Sequence, residues 1–248
     1  MSASLPILTF HALDNQPSVI SFSPLSFRRA LIHLRERGHT TLRLKEAADY
    51  INRGVAFPPR SLVITFDDGY ESVFTEALPV LLDCHMSATV FITVGEETGD
   101  RLPSLEGRSM LTWNQINEMQ KCGVEIGAHS LTHPDLTRLS DDRVKAEICD
   151  SKKVIEDTLG LAVSCFAYPF GRFDSRSREI ARQHFDCACS DRLGISTMRS
   201  DIYALERVDA YYLRSARAFD LMPGKLFSGY VWSRSIPRRL RQLLQSQI

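Results

Sequence analysis

No run of about 18 consecutive apolar residues occurs in the 248-residue chain, so no segment reads as a membrane-spanning helix. Neither sign of charge is in excess, because 30 Lys and Arg offset 30 Asp and Glu; this argues against a nucleic-acid binder working through bulk charge. The first thirteen residues have neither the basic region nor the long apolar stretch of a signal peptide, and a cytoplasmic protein is the expectation. Paired cysteine clusters are missing as well. Cys84, Cys122, Cys149, Cys165, Cys187 and Cys189 stand singly apart from one Cys-x-Cys, which predicts reduced, mostly buried thiols rather than a metal knuckle or a disulfide scaffold. There is no internal repeat and no Gly/Ser-rich linker to mark a domain boundary.

What is present is an alternation. Apolar runs of strand length at residues 5–10, 62–66, 88–94, 124–128, 164–168 and 186–189 are separated by helical patterns at 24–37, 44–53, 71–82, 113–122, 141–159 and 175–184. Strands with little polar interruption, alternating with helices, predict a parallel sheet covered on both faces, as an α/β barrel or a doubly wound sheet. Residues 95–110, rich in Gly, Pro and charge, read either as a long surface loop or as a disordered insertion. Residues 211–248 carry seven basic residues (Arg214, Arg217, Lys225, Arg234, Arg238, Arg239, Arg241) against one acid, Asp220. With Trp232, Ile236, Leu240, Leu243 and Leu244 interleaved, this tail reads as a solvated capping helix or as a weak membrane-surface or partner contact.

Three segments carry chemistry. Thr65-Phe66-Asp67-Asp68-Gly69-Tyr70 puts two carboxylates at the C-terminal end of a predicted strand, the edge where parallel α/β folds bind ligands. His129-Ser130-Leu131-Thr132-His133-Pro134 ends another strand; on a helical turn the two histidines, four apart, would face one way and reach a single ion. Two histidines and an aspartate make up the three protein ligands of an open catalytic zinc site. The third segment runs from Cys165 through Tyr168-Pro169-Phe170-Gly171 to Asp174. The histidines His33, His39, His85 and His184 read as surface residues.

Together these segments resemble the polysaccharide deacetylase family, carbohydrate esterase family 4, also called the NodB-homology domain, over residues 5–209. The resemblance implies a distorted (β/α)-barrel of about seven parallel strands in residues 1–212, with 213–248 as a basic helical tail. It implies Asp68, His129 and His133 as ligands of a divalent metal (Zn²⁺ first, with Co²⁺, Ni²⁺ and Fe²⁺ also open) and Asp67 as catalytic base. The backbone N–H of Phe170 would help the metal stabilise the oxyanion.

The chain departs from the family pattern twice. Ala167 stands where the family often has a base-orienting arginine, leaving Arg172 and Arg207 as candidates for that duty or for binding substrate. No histidine follows His184, so the late histidine that protonates the leaving amine is absent; His11, at the end of the first strand, is the candidate acid. Tyr70, Trp113, Phe170 and Phe173 are aromatics that either stack on sugar or belong to the core. The implied activity is removal of an N-acetyl group from an amino sugar in a glycan, a glycolipid or a sugar nucleotide. A silent glycan-binding module on the same barrel, or an amidohydrolase acting on another small amide, remain as alternatives, and the oligomeric state is not legible. A protein in the cytoplasm, peripheral at the inner membrane face, would meet sugar nucleotides or lipid-linked sugars.

Overall fold

All six apolar runs become strands in the computed structural model, and a seventh joins them. The structure describes residues 4–95, 99–222 and 224–245, with the side chains of residues 216, 217, 225 and 237–245 outside that description. The strands are β1 (Ile7–Phe10), β2 (Ser61–Phe66), β3 (Thr89–Ile92), β4 (Glu125–Ala128), β5 (Cys165–Ala167), β6 (Cys187–Leu193) and β7 (Leu205–Asp209). Each pairs in parallel with the next, and β7 pairs with β1, which closes a seven-stranded barrel. The helices are α1 (Pro24–Glu36), α2 (Leu44–Asn52), α3 (Leu78–Asp83), α4 (Trp113–Lys121), α5 (Asp141–Leu159), α6 (Ser175–His184), α7 (Ala216–Asp220) and α8 (Lys225–Gln245). Among the described residues no helix is long and apolar enough to cross a membrane.

Alternation along each strand divides the core in two. Ile7, Val63, Phe91, Cys165, Ala167, Cys187, Cys189 and Leu205 form one buried cluster, filling the lumen. Leu8, Phe10, Ile64, Phe66, Val90, Ile126, Phe166 and Val208, one residue out of phase, pack outward in the cluster that includes the surrounding helices. The lumen is tight enough that Gly127 has no room for a side chain: a Cβ there would come within 2.5 Å of the Phe91 ring. Helix α2 plugs one mouth, because Leu44, Ala47, Ala48 and Ile51 belong to the lumen cluster. Its first backbone N–H, of Leu44, donates to Thr89 and Glu125 at the starts of β3 and β4. Among the described residues the barrel therefore opens where the strands end, and the same alternation carries Asp67 and Arg207 to that opening.

Several expectations change in detail. The helix predicted over 71–82 is a π-helical turn, Val73–Ala77, running into α3; Pro79 has no N–H to continue an i→i−4 ladder there. Residues 95–110 are not a disordered insertion in their described part, since Leu102 and Met110 are buried; residues 96–98 lie outside the described residues. Among the histidines read as surface residues, His39 is buried. Cys84, Cys165, Cys187 and Cys189 are buried free thiols, Cys149 is half-buried and Cys122 exposed. Helix α8 lays Phe227 and Val231 into the outer core while Trp232 and Ile236 face solvent. The side chains of Arg217, Lys225, Arg238, Arg239, Leu240, Arg241, Leu243 and Leu244, on which a membrane contact would depend, lie outside the described residues.

Candidate active site

Strand β2 ends at Phe66, and the chain then places two aspartates in different environments. The Asp67 carboxylate is buried and accepts two parallel hydrogen bonds from Arg207, Nη1 to Oδ1 and Nη2 to Oδ2, each 2.8 Å. Arg207 is itself fixed, its Nε donating to the Ser190 carbonyl at 3.0 Å. Burial pushes the Asp67 carboxyl up, but the Arg207 guanidinium outweighs that and holds it below the usual range. His11, at the end of β1, brings its Nε2 to 4.0 Å from Asp67 Oδ2.

Asp68 takes a left-handed backbone (φ 75°), which swings its side chain away from Asp67 towards the histidines. Its Oδ1 lies 3.5 Å from His129 Nε2 and 3.3 Å from His133 Nε2, and the two Nε2 atoms are 3.2 Å apart. The histidine pair does not converge on a helical turn as expected. It converges on a bend in which Ser130 (φ 66°) and His133 (φ 60°) are left-handed, and the Ser130 hydroxyl accepts the His133 N–H at 2.9 Å. His129 Nδ1 donates to the Ala167 carbonyl at 2.7 Å, which fixes the ring with Nε2 facing the cluster. Burial and the charge of His129 push the His133 imidazole down to about 4, so it is neutral near pH 7. Although burial alone would raise the Asp68 carboxyl, a His129 hydrogen bond and the nearby imidazoles hold it well below the carboxylate range.

These three side chains fit a divalent ion. Four ligands at about 2.0–2.1 Å around a tetrahedral zinc stand about 3.3 Å from one another. The observed separations of 3.2, 3.3 and 3.5 Å match that edge without rearrangement.

The site opens into a solvent-accessible cleft of about 610 Å³ lined by His11, Asp67, Asp68, His133, Phe170 and Arg207 among others. Phe170 is left-handed (φ 55°), 57% exposed, and its ring packs edge-on to His133 at 4.7 Å. Two expected substrate-binding residues lie elsewhere. Tyr70 is buried with its hydroxyl bonded to Asp68, and Arg172 is exposed, paired with Asp135 at 2.8 Å and absent from the cleft lining. Arg207, open between two duties, orients Asp67. Trp113 and Phe173 pack against the core. Motif reading passed over Glu147, a fully buried carboxylate on α5. Its signal was available: it sits on the stripe Val144, Glu147, Ile148, Ser151, Ile155, and a charge on a core-facing stripe demands partners.

Barrel, strand-end carboxylates and histidine pair together define a class, and comparison with known proteins places the chain in it. Residues 54–185, more than half of the chain, match the model of the polysaccharide deacetylase family, and the chain belongs to that family. It is 28% identical over 232 residues to "Putative polysaccharide deacetylase YxkH" of Bacillus subtilis, covering 93% of this chain and 77% of that protein. Over 160 residues it is 28% identical to the poly-beta-1,6-N-acetyl-D-glucosamine N-deacetylase of Staphylococcus aureus, covering 61% of this chain and 54% of that one. The fold is shared with the Streptococcus pyogenes deacetylase PplD, solved in complex with acetate (TM-score 0.76, 24% identity, 84% of this chain and 93% of that one).

Proposed function

We propose that the protein is a divalent-metal-dependent hydrolase that removes the N-acetyl group from an amino sugar within a glycan. The observation that carries this reading is the tetrahedral spacing of Asp68, His129 and His133 beside the Asp67–Arg207 pair, at the open mouth of the barrel. Those three residues would hold the ion, with Zn²⁺ favoured by the donor set of two imidazoles and a carboxylate. When bound, such an ion polarises an amide carbonyl and makes water nucleophilic near neutral pH.

The chain's own residues supply the remaining steps. Asp67, kept ionised by Arg207, takes a proton as the water oxygen adds to the acetamide carbon. The backbone N–H of Phe170, in the turn that lines the cleft, would donate to the oxygen that gains negative charge. His11, in the cleft lining with its Nε2 4.0 Å from Asp67, would give a proton to the departing nitrogen as the C–N bond breaks, leaving acetate and a free amine. Phe170 and Tyr211, 57% and 52% exposed beside the cleft, supply faces on which a sugar ring can stack, which supports a glycan over a small enclosed amide. The name of the Staphylococcus aureus relative makes N-acetylglucosamine polymers the first substrates to offer.

The test is acetate release from N-acetylglucosamine oligomers after chelation and after resupply of Zn²⁺ or Co²⁺. Release that requires metal, and is lost in Asp67→Asn while metal content is kept, is the expected result. Metal-loaded protein that releases no acetate from any N-acetylated glycan would overturn the hydrolase reading in favour of a binding module.

A further inference from the structure

The backbone between the two histidines is held from outside the cleft. Glu147 Oε2 accepts the N–H of Leu131 at 2.9 Å and the N–H of Thr132 at 2.8 Å, and Oε1 accepts the Thr132 hydroxyl at 2.6 Å. Arg143, one turn earlier on α5, donates to Oε1 at 3.4 Å. The carboxylate is fully buried, and its donors come almost wholly from the peptide that joins His129 to His133. Peptide N–H groups in a bend between left-handed Ser130 and His133 have no helix or strand ladder to satisfy them, so a partner must come from elsewhere. Hydrogen bonds to an ionised acceptor are roughly twice as strong as neutral ones, and α5, of 19 residues, is a rigid support for that acceptor.

We propose that Glu147 is a positioning residue that sets the separation of the two imidazole Nε2 atoms and so the affinity of the site for its divalent ion. The inference rests on the metal reading above and extends it. Each histidine then has its own constraint: the Ala167 carbonyl fixes the His129 ring, the Ser130 hydroxyl holds the His133 N–H, and Glu147 clamps the link between them. Outer groups that orient metal ligands typically account for about tenfold to a hundredfold in metal affinity.

The test is titration of the 248-residue chain with Co²⁺, followed by visible absorption and by competition with a chelator, in wild type, Glu147→Ala, Glu147→Gln and Ile155→Val. Ile155→Val trims a buried residue of the same stripe, eight positions beyond Glu147 on α5 and absent from the cleft lining, and controls for loss of stability. Expected are a tenfold to hundredfold weaker Co²⁺ affinity and an altered absorption band in Glu147→Ala, a smaller loss in Glu147→Gln, and an unchanged affinity in Ile155→Val despite its lower Tm. Wild-type affinity and spectrum in both Glu147 variants would overturn the proposal. If Glu147→Ala does not fold, Glu147→Gln decides alone, and a Kd within twofold of wild type overturns it. A wild-type protein that binds no Co²⁺ would defeat the metal reading itself, which is a distinguishable failure.

Discussion

Asp67 and Arg207 are 3% and 5% exposed, so neither charge has water to fall back on if the other is removed. Breaking such a pair by deleting one partner typically costs about 3–5 kcal/mol, because an uncompensated charge stays buried. Arg207→Ala is therefore expected to lower the unfolding free energy by about that amount, and Asp67→Ala/Arg207→Ala by less than the sum of the two single changes. Denaturant unfolding of the four proteins checks this; additive effects would mean that the pair is not coupled. The aspartates and histidines of this site were legible because they stand in short motifs at predicted strand ends. Arg207 was visible only as one of two candidates, since no local pattern says which guanidinium will face a carboxylate 140 positions away. Tyr70 was legible as an aromatic beside the motif, but its burial behind Asp68 depends on neighbours remote in sequence.

The turn Pro169–Gly171 brings Phe170 to the cleft, and Gly171 is what lets it run so close to β6. A Cβ at Gly171, which has φ 64°, would lie 2.0 Å from Asp191 Cβ and 2.2 Å from Asp191 N, so the turn must move. If the Phe170 N–H has the proposed role, Gly171→Ala is expected to reduce kcat by about a hundredfold, the loss that a displacement of roughly 1 Å can cause, while metal content is unchanged. Loss of metal instead would place the disturbance at the ligands. At the end of α1, His39 is buried and its Nδ1 donates to the Leu34 carbonyl at 3.0 Å. Burial is the main influence and pushes this imidazole below its free value of 6.5, with Arg37 and Arg60 acting the same way. The folded state thus binds the proton less readily than the unfolded chain. His39's contribution is fully present above pH 6.5 and is lost as the pH falls through the depressed folded value. Melting temperature should fall between pH 8 and pH 5, and the fall should be smaller in His39→Gln. Six strands could be read from apolar runs, but β7 (Leu-Glu-Arg-Val-Asp) has no such run: Arg207 and Asp209 take the face that lines the cleft and Glu206 stands on the other face beside Val208, so polar residues interrupt both faces.

Barrel closure is a property of the whole chain. Local periodicity could not choose between a barrel and an open doubly wound sheet, because the choice lies in the pairing of β7 with β1 and of β1 with β2, between segments far apart in sequence. The proposed ion would bridge such distant parts. Asp68 follows β2 and the histidines follow β4, so a metal held by all three ties two strand ends across β3 and is available only to the folded protein. A ligand that binds only the native state at a hundred times its Kd stabilises it by about 2.7 kcal/mol. For a chain of this size 1 kcal/mol moves Tm by about 2–4 °C, so chelation should lower Tm by about 5–10 °C. Resupplied Zn²⁺ or Co²⁺ should restore it, and His129→Ala should melt at the chelated temperature whether or not metal is added. A wild-type Tm indifferent to chelator and metal would show that the three side chains stand together for some other reason, with the mutual bonds of Asp68 and the histidines sufficient to hold the mouth of the barrel in shape.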